Sequence, residues 1–290
     1  MTSQSNTEPT RFVEAAGTRF AYRRFGDPIG TPIALLQHFM GNLDNYDPAI
    51  TDTLAMGREV ILTDNAGVGL STGAAPETVA GMARDAASLI NALGLEQVDL
   101  FGFSMGGHVA QQIAVDRPEL VRRLVLVGTG PRGGDGMDQL APDVVPLFQT
   151  AYEPQDLMWL PIFFSPSEAS QAAGQRFLER IRARTEDRDA PVSEATVAAH
   201  LAAAHEWGAP APDSFNYLKG IAHPALVVNG SNDIVVPTIN SYILQQNLPN
   251  AELILFPDSN HGSHFQFIEV FNRYVTDFVD LRPDFPILVG

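Results

Sequence analysis

At 290 residues the chain is long enough to bury a full core, and it suits one α/β domain with an insertion or a pair of domains. It contains no cysteine, which excludes disulfides, thiolate metal sites and thiol nucleophiles, so any nucleophile must be an oxygen or a nitrogen. Its 34 acidic and 18 basic residues give a formal net charge of −16, a surface that repels nucleic acid and anionic membranes.

Residues Met1 to Thr10 are polar and lack the basic start and apolar core of a secretory signal. No run approaches the ~20 apolar residues of a membrane span. The expectation is a soluble, cytoplasmic protein with a disordered tail over residues 1–10. Arg11 to Ala15 and Thr18 to Phe25 alternate around Gly17 and read as an antiparallel hairpin at a sheet edge. Pro32 to Gln37 is continuously apolar, the character of a strand covered on both faces. Glu59 to Thr63, Val98 to Phe101, Leu124 to Val127 and Ala225 to Val228 repeat that character. Helical patterns at Thr78–Leu93, Met105–Asp116 and Thr238–Gln246 lie between them, and a strand at Ala251–Phe256 and a helix at Phe265–Leu281 follow. Such alternation predicts a mostly parallel sheet with helices on both faces.

From Pro131 to Ser214 the rhythm breaks: no buried-strand run appears, and helical stretches occupy Glu168–Arg184 and Ser193–Glu206. The segment begins where a core strand ends, at the edge where ligands bind open α/β sheets. Leu157 to Phe164 is too apolar for a linker, so 131–214 reads as a helical lid on a core of 11–130 and 215–290. The mixed charges of Arg180 to Asp189 read as a solvated face.

The chemistry centres on Gly102-Phe103-Ser104-Met105-Gly106, where a buried strand turns sharply into a helix. The turn exposes Ser104 as a nucleophile, the glycines admit neighbouring backbone, and the helix start offers free N–H groups. A serine hydroxyl needs a base, and His261, in a turn-forming run after the last strand, is favoured among the seven histidines; His264 is its rival. The imidazole needs a carboxylate to fix its tautomer. Asp233, in the loop after Ala225–Val228, is preferred over Asp135 or Asp138. The N–H groups of Met105 and of Phe39, in the loop after the Ile33 strand, are nominated as oxyanion donors. His38 reads as a ring that holds this loop at the edge of the pocket. Leu147, Phe148, Tyr152, Trp159, Phe163, Phe164 and Trp207 are candidate pocket walls, with packing of the lid onto the core as the competing reading for each. No fixed cation stands out for a substrate carboxylate.

Gly102 to Gly106, the His38 loop, Asp64 to Ser71, Asp233 followed by Pro237, and His261-Gly262 stand in the chain order of the α/β-hydrolase superfamily. From about Arg11 to Leu281 the sequence resembles the bacterial branch of lid-bearing esterases, cofactor-free haloperoxidases and carbon–carbon bond hydrolases. The resemblance implies an eight-stranded sheet with one antiparallel strand and a triad of Ser104, Asp233 and His261. The chain departs from the family pattern at Phe39, usually Gly, and at Ala66, usually Arg. The activity expected is hydrolysis of an ester of a small apolar or aromatic molecule. The alternatives are a carbon–carbon hydrolase or lactonase with the same triad, or a small-molecule receptor with vestigial turnover. No metal or organic cofactor is expected, and the oligomeric state, homo-oligomer included, is left open.

Overall fold

The computed structural model describes residues 3–280, so Met1, Thr2 and the expected continuation of the core through 281–290 lie outside the described residues. The strands are β1 (Arg11–Ala15), β2 (Thr18–Gly26), β3 (Ile33–Leu36), β4 (Glu59–Thr63), β5 (Val98–Phe103), β6 (Val121–Val127), β7 (Ala225–Gly230) and β8 (Ala251–Phe256). They form one sheet in the order β1-β2-β4-β3-β5-β6-β7-β8, in which β2 alone runs against the rest. Ala16 and Gly17, both at positive φ, make the two-residue turn that closes the first hairpin.

The helices are α1 (Gln4–Thr7), α2 (Pro48–Ala55), α3 (Val79–Ala92), α4 (Met105–Asp116), α5 (Val145–Gln149), α6 (Trp159–Phe163), α7 (Glu168–Arg182), α8 (Glu194–Gly208), α9 (Ile239–Asn247), α10 (Ser263–Gln266) and α11 (Ile268–Asp280). Every residue of β3, β5 and β7 is buried, whereas the edge strands β1 and β8 are mostly part-exposed. Side chains alternate between two cores. Ile33, Leu35, Phe103 and Val228 face α2, α11 and the α6–α7 pair, while Ala34, Leu36, Leu100 and Val227 face α3, α4 and α9. The continuous apolar runs of the sequence are thus the signature of a sheet covered on both sides.

The segment 131–214 contributes α5 to α8 and no strand, and it straddles the sheet. Its Phe163 and Phe177 join the first core, and Ala203 and Trp207 of α8 join the second. No helix among the described residues is long and apolar enough to cross a membrane.

Two expectations are corrected, and one element is added. Residues 3–10 are not a disordered tail: Ser3 caps α1, the buried Ser5 donates its N–H to Asp52 (2.8 Å), and the carbonyls of Asn6 and Glu8 accept from the Arg184 guanidinium (3.0 and 2.9 Å). A polar segment is ordered there because a buried cation needs acceptors. The run 180–189 is a solvated face only in part: Arg182, Glu186, Asp187 and Arg188 are exposed, whereas Arg184 is 4 % exposed and Arg180 grips the buried Asp47 carboxylate at 2.6 Å. Finally, α2 was not anticipated; Asp47 caps it and Pro48 opens it, a start signal inside an otherwise irregular stretch.

Candidate active site

Ser104 joins β5 to α4 with φ 55° and ψ −119°, a region that costs a non-glycine residue about 1–3 kcal/mol. The surroundings hold it there. Its N–H donates to the Val127 carbonyl (2.8 Å), and its own carbonyl accepts from Gly107 (2.8 Å). A Cβ at Gly102 would collide with the Gly106 carbonyl, one at Gly106 with the Leu36 carbonyl, and one at Gly107 would meet the Thr129 side chain at 2.6 Å. The spacing of small residues read from the sequence is therefore a packing requirement between β3, β5 and α4.

His261 lies on the loop after β8, and the insertion holds that loop in place. Gly262 donates its N–H to the Phe163 carbonyl (2.9 Å) and Asn260 its amide to the Phe164 carbonyl (3.1 Å). Asp233 follows β7; its Oδ1 accepts from the N–H groups of Val235 (2.9 Å) and Val236 (3.0 Å), which leaves Oδ2 to meet His261 Nδ1 at 2.8 Å. A carboxylate only accepts, so Nδ1 carries the proton and Nε2 presents a lone pair. That Nε2 is 2.8 Å from Ser104 Oγ. Residues 104, 233 and 261 thus form one hydrogen-bonded chain at the C-terminal edge of the sheet.

The rivals stand elsewhere. His264 is buried against Phe101, Phe103, Phe265 and Phe271, and burial holds its pKa well below the ordinary value, so it is a core ring. Asp135 is exposed and bonded through its backbone to Asn240; Asp138 reaches the cavity wall with no bond to His261.

A cavity of about 740 Å³ opens over Ser104, and Phe39 and Met105 line it beside the serine. Neither residue's backbone N–H meets a protein acceptor among the described residues. The loop carrying Phe39 is set by His38, whose Nδ1 donates to the Phe39 carbonyl (2.8 Å) while its ring stands edge-on to Phe103, Trp159 and Phe163. Burial pushes the His38 pKa down to about 3, so the ring stays neutral. From α8, His200 Nδ1 accepts the N–H of Met40, itself at φ 62°.

Of the expected walls, Phe148, Trp159, Phe163 and His38 line the cavity. Phe164 and Trp207 do not. Phe164 packs inside the insertion on Phe177 and Gly174, whereas Trp207 donates its indole N–H to the Gly130 carbonyl (3.2 Å) while stacking on His108 and so fastens the insertion to the core. Leu147 and Tyr152 also serve as packing. Sequence reasoning passed over His108, which lines the cavity one helical turn after Ser104; its i, i+4 spacing was the available signal. Among the described residues no group of three His, Cys, Asp or Glu is placed to hold a metal ion.

The doubly wound sheet and the strained serine turn define the α/β hydrolase class, and the family model described as alpha/beta hydrolase fold matches residues 31–267. The chain belongs to that family. A 2-hydroxy-6-oxononadienedioate/2-hydroxy-6-oxononatrienedioate hydrolase of Burkholderia vietnamiensis is 31% identical over 233 residues, covering 77% of each chain. Among solved structures, an alpha/beta hydrolase fold protein from Chitinophaga pinensis is 41% identical with a TM-score of 0.90, covering 96% of this chain and 99% of its own. An N-acyl homoserine lactone degrading enzyme is 25% identical with a TM-score of 0.71, covering 92% of this chain and all of its own. Family and relatives together place the chain among the hydrolases.

Proposed function

We propose that the protein is a serine hydrolase that cleaves a bond at the carbonyl of a small, mainly apolar molecule, with segment 131–214 as the cap over its site. The observation that carries this is the pair of 2.8 Å hydrogen bonds running from Asp233 through His261 to Ser104. Ser104 Oγ attacks the carbonyl as His261 Nε2 takes its proton, and the N–H groups of Phe39 and Met105 meet the developing oxyanion. The imidazolium, steadied by Asp233, passes the proton to the leaving group, and water then releases the acyl group from Ser104 by the same steps.

Which bond breaks is a finer matter. The dienedioate hydrolases among the relatives favour carbon–carbon cleavage of a diketone over the simple ester expected from the motifs, and the lactone-degrading neighbour favours ring opening. All three share the attack on a carbonyl and differ in what departs. The test is Ser104→Ala assayed on an aryl ester, a lactone and a vinylogous diketone. Whichever is turned over by the wild type should lose rate by about 10⁶-fold, as loss of a triad serine does. Turnover that survives the substitution removes the serine mechanism.

A further inference from the structure

The peptide planes on either side of Phe39 set the direction of its N–H, the proposed oxyanion donor. The plane before it carries the His38 carbonyl, which accepts the N–H of Gly41 (3.0 Å) and so leaves the Phe39 N–H pointing the opposite way, with no protein acceptor among the described residues. The plane after it carries the Phe39 carbonyl and the Met40 N–H. The carbonyl accepts from His38 Nδ1 (2.8 Å) and the N–H donates to His200 Nδ1 (3.4 Å), so this peptide is gripped at both polar ends. His38 and Gly41 belong to the core, whereas His200 belongs to the insertion.

The loop does not keep this shape by local preference. Met40 sits at φ 62°, a left-handed conformation unfavourable for any residue but glycine, and the ring that answers its N–H is 0 % exposed. Burial pushes the His200 pKa down to about 4, so the imidazole is neutral near pH 7, with a lone pair on Nδ1 and the proton on Nε2. That Nε2 has no partner among the described residues. An aliphatic side chain would leave no such donor unanswered, so what the imidazole adds here is its acceptor. Helix α8 carries the ring on a firm footing: Thr196 Oγ1 donates to the Gly67 carbonyl (2.7 Å) before it, and Trp207 donates to the Gly130 carbonyl (3.2 Å) after it. The insertion also flanks the Phe39 ring, with His200 and Phe148 each 6.0 Å away.

We propose that His200 is a positioning residue for catalysis: by accepting the Met40 N–H it fixes the peptide beside the Phe39 donor, so the insertion shapes the oxyanion hole as well as roofing the cavity. The kinetic tests of this role rest on the serine-hydrolase reading. The hydrogen bond itself does not, and it is tested without turnover.

The first experiment compares wild type, His200→Leu, His200→Asn and His200→Gln on whichever of the aryl ester, lactone and diketone the wild type turns over. Asparagine Oδ1 falls near the place of Nδ1 and glutamine Oε1 near that of Nε2, so the first keeps the acceptor and the second misplaces it. Removing an oxyanion donor costs about 10²–10³ in kcat; misplacing one should cost about 10-fold in His200→Leu and His200→Gln, with KM moved by less than about 2-fold. His200→Asn should regain most of that loss. A leucine variant within about 2-fold of the wild-type kcat, or an asparagine variant no better than glutamine, overturns the proposal. The asparagine–glutamine comparison decides even if His200→Leu fails to fold. The second experiment separates positioning from damage to the pocket. Trifluoroacetophenone takes Ser104 Oγ onto its carbonyl carbon as the hydroxyl proton passes to His261, and its oxygen becomes an oxyanion; acetophenone binds as the plain ketone. His200→Leu and His200→Gln should weaken the trifluoroketone about 10-fold and the plain ketone by less than about 2-fold, whereas equal weakening of both overturns the positioning role. The third measurement is nitrogen NMR of the wild type near neutral pH, which should show His200 as the Nε2–H tautomer. An Nδ1–H tautomer cannot accept from Met40 and sinks the proposal while the triad stands. Turnover surviving Ser104→Ala would instead sink the catalytic reading, and with it the positioning role, while the tautomer still reports on the bond.

Discussion

Two regions of the molecule bury polar groups, and they do so in opposite ways. Under the insertion, His38 and His108 are neutral rings, and His38 Nε2 and both His108 nitrogens have no hydrogen-bond partner among the described residues. Where the insertion meets β2 and the N-terminal segment, the buried groups are charged and mutually paired. Arg23, 1 % exposed, donates to Asp44 (2.9 Å) and to the carbonyls of Leu43 and Asp187; Asp44 in turn accepts the Asp189 N–H at 2.7 Å. Charges that are answered dock one part of the chain on another, whereas the orphaned ring nitrogens are neutral and closed off from solvent. One pair in the seam is a special case. Asp64 and Asp189 converge on Gly69 and keep three oxygens without a donor, so each carboxylate disfavours the charge of the other. Burial, followed by the Asp189 charge, raises the Asp64 pKa well above its ordinary value; burial and then the charge of Asp44 push Asp189 up to about 6.

The contrast is sharpest if rate and stability separate. Asp233→Asn should cost about 10⁴ in kcat with the urea midpoint little moved, because the amide presents the wrong partner to His261; Asp135→Asn should change neither. A reversed ranking would move the acid to the loop after β6. Asp44→Ala leaves the Arg23 guanidinium buried and unpaired, so equilibrium unfolding should show a loss of about 3–5 kcal/mol. Retained stability would mean that the seam is not what fixes the insertion.

The smallest effect is a pH dependence. Raised carboxyl pKa values contribute stability that is complete below the unfolded value of 3.8 and is lost as pH climbs through about 6. Urea melts should therefore show the seam weakening between about pH 4 and pH 7, with Arg23, Arg184 and Arg188 offsetting part of the repulsion among Asp44, Asp64 and Asp189. Asp189→Asn should flatten that slope and stabilise the protein at about pH 8 by about 1 kcal/mol. A slope unchanged by the substitution would assign it to other groups.

What could be read from the residues tracks how local each determinant is. Runs such as Ile33–Leu36 and Val98–Phe103 announce buried strands because covering both faces of a sheet removes the polar alternation, and Gly102-x-Ser104-x-Gly106 announces its turn because only small residues fit there. The four-residue helix α1 and the seam were illegible for the opposite reason: a polar stretch is ordered only by partners such as Arg184, 178 residues from Asn6. Trp207 and Phe164 looked like pocket walls because an aromatic side chain reads alike on either side of a helix until its neighbours are known.

The sequence by itself determined the sheet and the serine turn, and put Ser104, Asp233 and His261 forward in that order with His264, Asp135 and Asp138 as rivals, since these follow from short-range pattern and chemistry. Only the tertiary structure decided that His261 rather than His264 faces the serine, that 131–214 reaches back to hold the His261 loop, and that the cavity walls carry neither lysine nor arginine among the described residues. Those outcomes depend on which segments come within hydrogen-bonding distance in the folded chain, and separation along the sequence carries no record of that.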